Sequence, residues 1–318
     1  MKIRFGYVST ALNLWEASPS RTMTFKRYGE IGSEAARDKL LDITRENLRN
    51  TLRILYYNIA HEIEVYRFSS SLVPLATHPE VMWDFITPFR EEWREIGELV
   101  KKYKLRVSFH PSQYTLFTGK KAELTANSVK DMVYHYAMLE AMGVEDRSNI
   151  NIHVGGAYGD KESSIKRFHE NIRKLPVHIK RAMTLENDDK TYTTEETLAV
   201  CEKEDIPLAF DYHHHMANPS DLPLPDLLAR VYKTWERIDW VPKIHISSPK
   251  SEKAFRHHAD YVDVDFIMPL LHLLKEMNLD ADFMIEAKTK DKALLQLVGD
   301  ISKVRGIKRT SGASIQWP

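Results

Sequence analysis

The feature of this sequence that most constrains its fold is an unbroken alternation of short strand-like runs and longer amphipathic stretches. The amphipathic stretches carry apolar residues at helical spacing, as at Leu41, Leu48, Leu52 and Leu55. Along the chain, this alternation gives eight pairs of a predicted strand followed by a predicted helix. Eight such pairs predict an α/β protein of the (β/α)8 TIM-barrel class, in which residues 1–318 form a single domain.

The predicted strands and helices cover most of the chain. The strands are Ile3–Val8, Glu64–Phe68, Arg106–Phe109, Ile150–Val154, Ala182–Glu186, Pro207–Asp211, Pro242–Ile246 and Asp282–Glu286. The helices are Asp38–Asn58, Pro88–Tyr103, Asn127–Met142, Ser163–Leu175, Thr194–Glu204, Pro223–Thr234, Asp265–Met277 and Lys292–Lys303. A doubly wound sheet usually has fewer strands and a glycine-rich first turn, whereas the first turn here reads Gly6-Tyr7-Val8-Ser9. The two long loops, Asn13–Ser33 and Ser247–Val262, are predicted to be functional or partly mobile.

The composition excludes several classes of protein. Lysine and arginine together number 45, as do aspartate and glutamate, so the net charge does not indicate a nucleic-acid-binding protein. The lone cysteine, Cys201, cannot form an intramolecular disulfide and favours a reducing cytoplasm. No apolar run approaches the roughly 20 residues of a membrane span, and the N-terminus lacks an apolar signal region. We therefore expect a cytoplasmic protein with no membrane contact and no evident obligate protein partner.

Side chains that can bind metal lie at the C-terminal ends of six consecutive predicted strands, from the third to the eighth. In strand order they are His110, His153, Glu186, Asp211, His245 and Glu286. The first two strands end instead in Tyr7 and in Arg67 with Ser69. TIM-barrel enzymes place their catalytic groups at the carboxyl ends of the strands, so these residues should meet at one face. A single buried histidine is usually a satisfied core residue, but six such strand ends in succession favour a shared site.

More histidines flank this set. Asp211 opens the run Asp211-Tyr-His213-His214-His215, and the loop after the seventh strand carries His257 and His258. A solvated histidine-rich loop would explain the run by itself. However, an aspartate and histidines at the end of a buried strand are costly unless they are paired or bound to metal.

The ligand types favour a cluster of metal ions. With His214 and His258 included, the chain offers at least eight ligands, more than the three or four that one zinc ion takes. We therefore predict two or three divalent ions, and the imidazole and carboxylate ligands suit Mn²⁺ or Zn²⁺ better than Mg²⁺. Glu186 and Glu286 are candidates for bridging the ions. Such a cluster suits in-line phosphoryl displacement, because it activates water and stabilises both oxygens.

Lys243 lies two residues before His245, so both side chains should point into the barrel. A buried ammonium group beside a metal cluster is unfavourable. We therefore expect Lys243 to have an acidic partner, a lowered pKa or a chemical modification.

Seven segments resemble a known family. They are Gly6-Tyr7-Val8, Arg67-Phe-Ser-Ser70, His110-Pro-Ser-Gln-Tyr114, Asn151-Ile-His-Val-Gly-Gly156, Leu185-Glu-Asn-Asp188, Phe210-Asp-Tyr-His-His214 and Lys243-Ile-His-Ile-Ser-Ser248. On these segments the chain resembles the Bacillus-type UV damage endonucleases, roughly from Arg4 to Glu286. The resemblance implies a barrel similar to endonuclease IV and a manganese-favouring, metal-dependent endonuclease. Such an enzyme nicks duplex DNA immediately 5′ of cyclobutane pyrimidine dimers, 6-4 photoproducts and some other lesions, leaving a 3′-hydroxyl and a 5′-phosphate.

The resemblance also implies roles for individual residues. The implied metal ligands are His110, His153, Glu186, Asp211, His214, His245, His258 and Glu286, although His213, His215 and His257 adjoin them in sequence. The family's carboxylated lysine matches Lys243. The catalytic residues that the resemblance implies are Glu186, Lys243 and Glu286. The lesion-probing pair matches Gln113 and Tyr114, with Tyr7 nearby, and Asn13 is a weaker match to an asparagine of the first loop.

Expected contacts to DNA are Tyr7, Arg67, Gln113, Tyr114, Lys250 and Lys253. The loops predicted at the same face also carry Lys120, Lys121, Arg256, Lys288 and Lys290, which are suited to meeting phosphates. Solvated surface lysines would show the same pattern, so the sequence favours DNA less strongly than it favours metal.

Three other functions remain open at the level of sequence. A sugar isomerase or epimerase on the same barrel would use Glu186, Asp211, His245 and Glu286 around two metals, but it has no need for the further histidines. An amidohydrolase would suit a modified lysine, but it normally has a His-x-His motif where this chain reads Gly6-Tyr7-Val8. A non-catalytic metal-binding sensor of DNA is the third.

Overall fold

Eight parallel strands close into a barrel in the computed structural model, which describes residues 1–318. The strands are β1 Lys2–Val8, β2 Val65–Arg67, β3 Arg106–Phe109, β4 Asn149–His153, β5 Met183–Glu186, β6 Leu208–Asp211, β7 Lys243–Ile246 and β8 Ala281–Ile285. They lie side by side in chain order, and β1 pairs with both β8 and β2, which closes the ring. The predicted (β/α)8 TIM barrel is therefore confirmed.

Helices connect successive strands around the outside of the barrel. They are α1 Phe25–Glu30, α2 Ser33–Ala60, α3 Arg90–Lys102, α4 Ala122–Met142, α5 Lys161–Asn171, α6 Val177–Arg181, α7 Thr194–Glu204, α8 Tyr212–Ala217, α9 Leu224–Trp235, α10 Val264–Glu276 and α11 Asp291–Ile301. All eight predicted helices are present, with ends that differ by a few residues. The short helices α1, α6 and α8 lie in segments where the sequence showed no helical period. None of the helices combines the length and apolar character needed to cross a lipid bilayer.

The C-terminal residues form a hairpin that the sequence did not predict. Its strands are β9 Lys308–Ser311 and β10 Ser314–Gln316. Strand β2 has only 3 residues and pairs with the upper half of β1, Gly6–Val8. Strand β10 pairs antiparallel with the lower half, Lys2–Arg4, and thereby occupies the edge that β2 leaves open.

A buried ion cluster lies at the amino end of the barrel. The Asp282 carboxylate accepts hydrogen bonds from Arg4 Nε and Nη2, at 2.7 Å and 2.6 Å, and another from Arg106. The Arg106 guanidinium also lies over the rings of Trp235 and Trp240. Lys243 lies directly beside Asp282 on the neighbouring strand. The predicted ligands lie at the opposite, carboxyl end of the strands.

The two long loops are held by hydrogen bonds. In the first, the Leu12 and Asn13 amides donate to the buried Asp291 carboxylate, at 2.6 Å and 3.2 Å. In the second, the Lys250 amide donates to the His257 carbonyl at 2.7 Å, which draws the loop after β7 into a narrow turn. Both loops therefore have a defined path at the carboxyl end of the barrel.

Candidate metal centre

The eight predicted ligands lie together at the carboxyl end of the barrel. Five of them end or directly follow a strand, and His245 is the second-to-last residue of β7. His214 lies in the first turn of α8, and His258 lies on the loop after β7. Strand ends of a closed barrel converge on one mouth, so residues that are widely separated in sequence become neighbours. The site is therefore a product of the fold and not of any local segment.

Glu186 lies at the centre of the group. Four histidine nitrogens surround its carboxylate: His245 Nδ1 at 3.0 Å, His110 Nε2 at 3.2 Å, His214 Nδ1 at 3.3 Å and His153 Nε2 at 3.9 Å. The side chain is fully buried. Four imidazole nitrogens around one carboxylate are more than a single ion pair requires.

Six of the eight residues form two groups that share Glu186, and His214 and His258 belong to neither group. The first is His110, His153 and Glu186, and the second is Glu186, Asp211, His245 and Glu286. Within each group the ligand atoms lie within 4.8 Å of one another. Glu186 is therefore the one residue that belongs to both groups of potential ligands.

The donor set fits divalent metal. Four buried polar atoms here have no hydrogen-bond partner: His153 Nδ1, Glu186 Oε1, Asp211 Oδ2 and His245 Nδ1. Buried polar atoms are rarely left unpaired, because each one costs free energy. A cation bound between the carboxylates and imidazoles would satisfy such atoms together.

The orientation of two rings supports the same conclusion. His110 Nδ1 lies 2.9 Å from the Pro111 carbonyl and His258 Nδ1 lies 2.7 Å from the Glu286 carbonyl. If each Nδ1–H donates to its carbonyl, the Nε2 atom of the neutral ring is left with a lone pair. For His110 that lone pair faces the Glu186 carboxylate, a contact that needs a proton or a cation between the two. Histidine ligands of metals are commonly held in this way.

The same charges shift the pKa values of the metal-free site. Burial alone would lower the pKa of His245, but the Glu186 and Glu286 carboxylates raise it to about 9. Burial would raise the pKa of Glu186, yet His245 and His153 hold it well below its usual value. For His214, attraction to Asp211 and Glu186 outweighs burial, so its pKa lies well above the ordinary one. The surrounding imidazoles therefore favour the anionic form of Glu186, the form that binds a cation.

The structure separates the adjacent histidines. His213 is buried and both its nitrogens are engaged, with Ser247 Oγ at 2.7 Å and the Phe255 carbonyl at 2.6 Å. His215 Nδ1 lies 3.0 Å from Thr194 Oγ1, facing away from the cluster. His257 is exposed on its loop. Successive residues of a helix point in different directions, which is why only His214 of the run reaches Glu186.

Lys243 crosses the barrel interior and is 1% exposed. Its Nζ donates to Asn149 Oδ1 at 3.1 Å, and no carboxylate oxygen lies within 4.0 Å of Nζ. Burial, followed by repulsion from Arg106, lowers its pKa well below the ordinary value. Of the three possibilities that the sequence left open, an acidic partner within 4.0 Å is absent, and a lowered pKa and a chemical modification remain.

The residues predicted to contact DNA fall into two sets. Gln113 and Tyr114 are exposed on the loop after β3, with Tyr114 79% exposed, and Lys250 and Lys253 are exposed on the loop after β7. Arg67 instead pairs with Glu286 inside the site. Tyr7 is fully buried and donates to Asn58 Oδ1 at 2.7 Å, so a DNA contact by Tyr7 stays a prediction that requires the side chain to move.

Two asparagines without a predicted role contact the ligands. Asn151 Nδ2 donates to Glu186 Oε2, and Asn187 exchanges hydrogen bonds with the backbone of Asp211, at 2.8 Å and 2.9 Å. Both occur in segments of the sequence that the family resemblance singled out. Their spacing also marks them, because Asn151 lies two residues before His153 and Asn187 directly follows Glu186.

Comparison with known proteins gives a consistent result. A family model described as "UV-endonuclease UvdE" matches residues 3–318. The chain is 58% identical over 317 residues to the UV DNA damage endonuclease of Bacillus cereus (strain Q1), covering 100% of both chains. It is 59% identical over 318 residues to that of Bacillus velezensis (strain DSM 23117), covering 100% of this chain and 99% of the relative.

Solved structures extend the comparison to the fold. The crystal structure of SacUVDE matches with a TM-score of 0.85 and 31% identity, covering 95% of this chain and 99% of that chain. The 3-keto-D-glucoside 4-epimerase YcjR from E. coli matches with a TM-score of 0.54 and 12% identity, covering 90% and 92%. The second likeness concerns the barrel alone.

Proposed function

Because this chain belongs to the UV-endonuclease UvdE family of DNA repair endonucleases, we propose that it nicks damaged duplex DNA in a metal-dependent reaction. The nick falls immediately 5′ of cyclobutane pyrimidine dimers, 6-4 photoproducts and some other lesions, and leaves a 3′-hydroxyl and a 5′-phosphate. The observation that carries the proposal is the position of Glu186, which is buried among four histidines and shared by two ligand groups.

The residues suited to holding the metal are the eight described above. The cofactors are two or three divalent ions, with Mn²⁺ favoured and Zn²⁺ also suited to the imidazole and carboxylate ligands. When bound, such ions lower the pKa of a coordinated water and stabilise the entering and leaving oxygens of a phosphodiester. Glu186 and Glu286 act by holding and orienting this centre, and Arg67 pairs with Glu286 Oε1, the oxygen that also faces His245.

We assign a carboxylated side chain to Lys243. Its amine is buried, faces the barrel interior beneath the centre and has no acidic partner. A neutral amine can attack carbon dioxide, forming an N–C bond and releasing one proton, which leaves a carbamate anion. That anion would place negative charge beneath a cationic centre, where an ammonium group would be repelled.

Lesion recognition is assigned to the loop after β3. An enzyme that acts on several lesions can test how easily a base step unstacks, because damage lowers that cost. Gln113 and Tyr114 are exposed three and four residues after His110, so a wedge formed by them lies beside the metal centre. Lys250 and Lys253 on the facing loop are suited to holding the phosphate backbone.

The setting of the reaction follows from the substrate. The relatives described above are bacterial, and bacterial chromosomal DNA lies in the cytoplasm, where we propose that this protein acts. Damaged duplex DNA is the proposed partner, and the proposal requires no other protein. The matching sugar epimerase shares only the barrel with this chain, so the hypothesis of an epimerase function has no support beyond the fold.

An incision assay tests the proposal directly. The protein is chelated, dialysed and given a duplex with one pyrimidine dimer at a known position, or the matched undamaged duplex. We expect no nick without metal, a nick directly 5′ of the dimer after Mn²⁺ is restored, and a new end that a DNA polymerase extends. Equal cutting of both duplexes, or full activity in the chelated protein, would contradict the proposal.

A further inference from the structure

A continuous row of hydrogen-bonded polar side chains runs through the barrel interior to the metal centre. Lys243 Nζ donates to Asn149 Oδ1 at 3.1 Å, and Asn149 Nδ2 donates to Thr184 Oγ1 at 2.9 Å. Thr184 Oγ1 donates to Asn151 Oδ1 at 2.8 Å, and Asn151 Nδ2 donates to Glu186 Oε2. None of the five residues is more than 2% exposed. We call this set, Lys243, Asn149, Thr184, Asn151 and Glu186, the buried row.

Each member of the buried row fixes the orientation of the next. Thr184 has one hydroxyl proton, and because it accepts from Asn149 it must direct that proton to Asn151. Asn151 then has its carbonyl oxygen occupied and can present only its amide N–H groups to Glu186. If the amide or hydroxyl of any member were turned around, a buried donor would face another donor. Both groups would then lose a hydrogen bond and remain unpaired, which costs free energy.

The row distinguishes the two oxygens of Glu186. Oε2 is held by Asn151 and lies 3.2 Å from His110, whereas Oε1 has no hydrogen-bond partner. A carboxylate that is held on one side keeps a single side-chain rotamer, and the other oxygen then points in a fixed direction. That direction is toward His153 and His214, which lie 3.9 Å and 3.3 Å from Oε1.

We propose that Asn151, Thr184 and Asn149 are positioning residues of the metal centre. They hold Glu186 in the orientation that serves both ligand groups, and the Thr184 hydroxyl is the link that sets the direction of the row. The inference rests on the proposed metal-dependent function, since it concerns how a bridging carboxylate is held. A carbamate on Lys243 keeps one N–H, so Lys243 can donate to Asn149 whether or not it is modified.

The Thr184 hydroxyl offers a matched pair of variants. Thr184→Val keeps the shape of the side chain and removes the hydroxyl, whereas Thr184→Ser keeps the hydroxyl and removes a methyl group. Both changes lower the melting temperature, because Thr184 is fully buried, so stability alone does not distinguish a positioning role. Metal affinity does, and it can be measured without catalysis from the free Mn²⁺ signal in an electron paramagnetic resonance titration of chelated protein.

We expect Thr184→Val to bind Mn²⁺ about tenfold more weakly than the wild type. This is the lower end of the range for loss of a group that hydrogen-bonds a ligand directly, because Thr184 acts on Glu186 through Asn151. Its kcat for dimer incision should fall while its KM for the duplex stays the same. Thr184→Ser should match the wild type in both measurements. If Thr184→Val does not fold, Thr184→Ala and Thr184→Ser make the same comparison, since they differ only in the hydroxyl.

Three results would overturn the inference, and each has a different meaning. Wild-type Mn²⁺ affinity and kcat in Thr184→Val would show that the row is only packing. Equal losses in the hydroxyl-free and hydroxyl-containing variants would show that the hydroxyl is not the cause. Absence of Mn²⁺ binding by the wild-type protein itself would refute the proposed metal centre, and the positioning role with it.

Discussion

Replacing Glu186 with glutamine should remove the metal centre and leave the barrel folded. The change keeps the volume and a hydrogen-bond acceptor for Asn151, but it removes the one charge that both ligand groups share. At about 4 Å, a unit charge attracts a divalent cation by about 8 kcal/mol at an effective dielectric constant of about 20. If desolvation of the ion cancels two thirds of that attraction, the substitution removes about 2–3 kcal/mol of metal-binding free energy. The affinity for the metal then falls about 100-fold.

The assay for Glu186→Gln is metal content after dialysis, combined with incision of a duplex that contains a pyrimidine dimer. Glu204→Gln is the matched control, because Glu204 is also a largely buried carboxylate paired with His169 and Lys180, far from the ligands. The control should lose some stability and retain its metal. Wild-type stoichiometry, Mn²⁺ affinity and incision in Glu186→Gln would refute the reasoning that Glu186 is shared between ions.

Three further predictions concern Lys243, the loop after β3 and pH. Lys243→Ala should lower incision about 10–100-fold and change DNA affinity little. Wild-type crystals grown near neutral pH should contain extra electron density on Lys243 Nζ, and a bare ammonium paired with an acid would contradict the assignment. The double variant Gln113→Ala/Tyr114→Ala should keep its metals and melting temperature but bind a dimer-containing duplex at least about tenfold more weakly, while its salt-dependent binding to undamaged duplex stays nearly unchanged. If titrations show that the variant still prefers the damaged duplex as strongly as the wild type, the two residues serve only in packing. Mn²⁺ affinity of the chelated protein should rise with pH up to about 9, because His245, whose pKa is about 9, is protonated below that value and must lose its proton to bind metal. Calorimetry in buffers of different ionisation enthalpy measures that proton, and affinity independent of pH between 7 and 9 would exclude it.

The barrel and most of the site could be predicted because they depend on two regular patterns. Alternating strand and helix periods define the eight units, and the residue that ends each strand necessarily faces the mouth. The sequence could not separate His214 from His213 and His215, because that choice depends on the short helix α8, whose 6 residues have too few turns to show a period. It also could not predict the C-terminal hairpin, since β9 and β10 are short and β10 pairs with a strand some 300 residues away.

The hairpin has a consequence for the order in which the protein folds. Strand β1 is synthesised first, yet its neighbours include β8 and β10, which are synthesised last. At about 5–20 residues per second, synthesis of the intervening chain takes roughly 15–60 s. Throughout that time β1 has only β2 as a permanent neighbour, and two stretches of its backbone can pair with the wrong strand. Contacts so distant in sequence form slowly, so closure of the barrel is the step at which a growing chain is most exposed to aggregation and to chaperones.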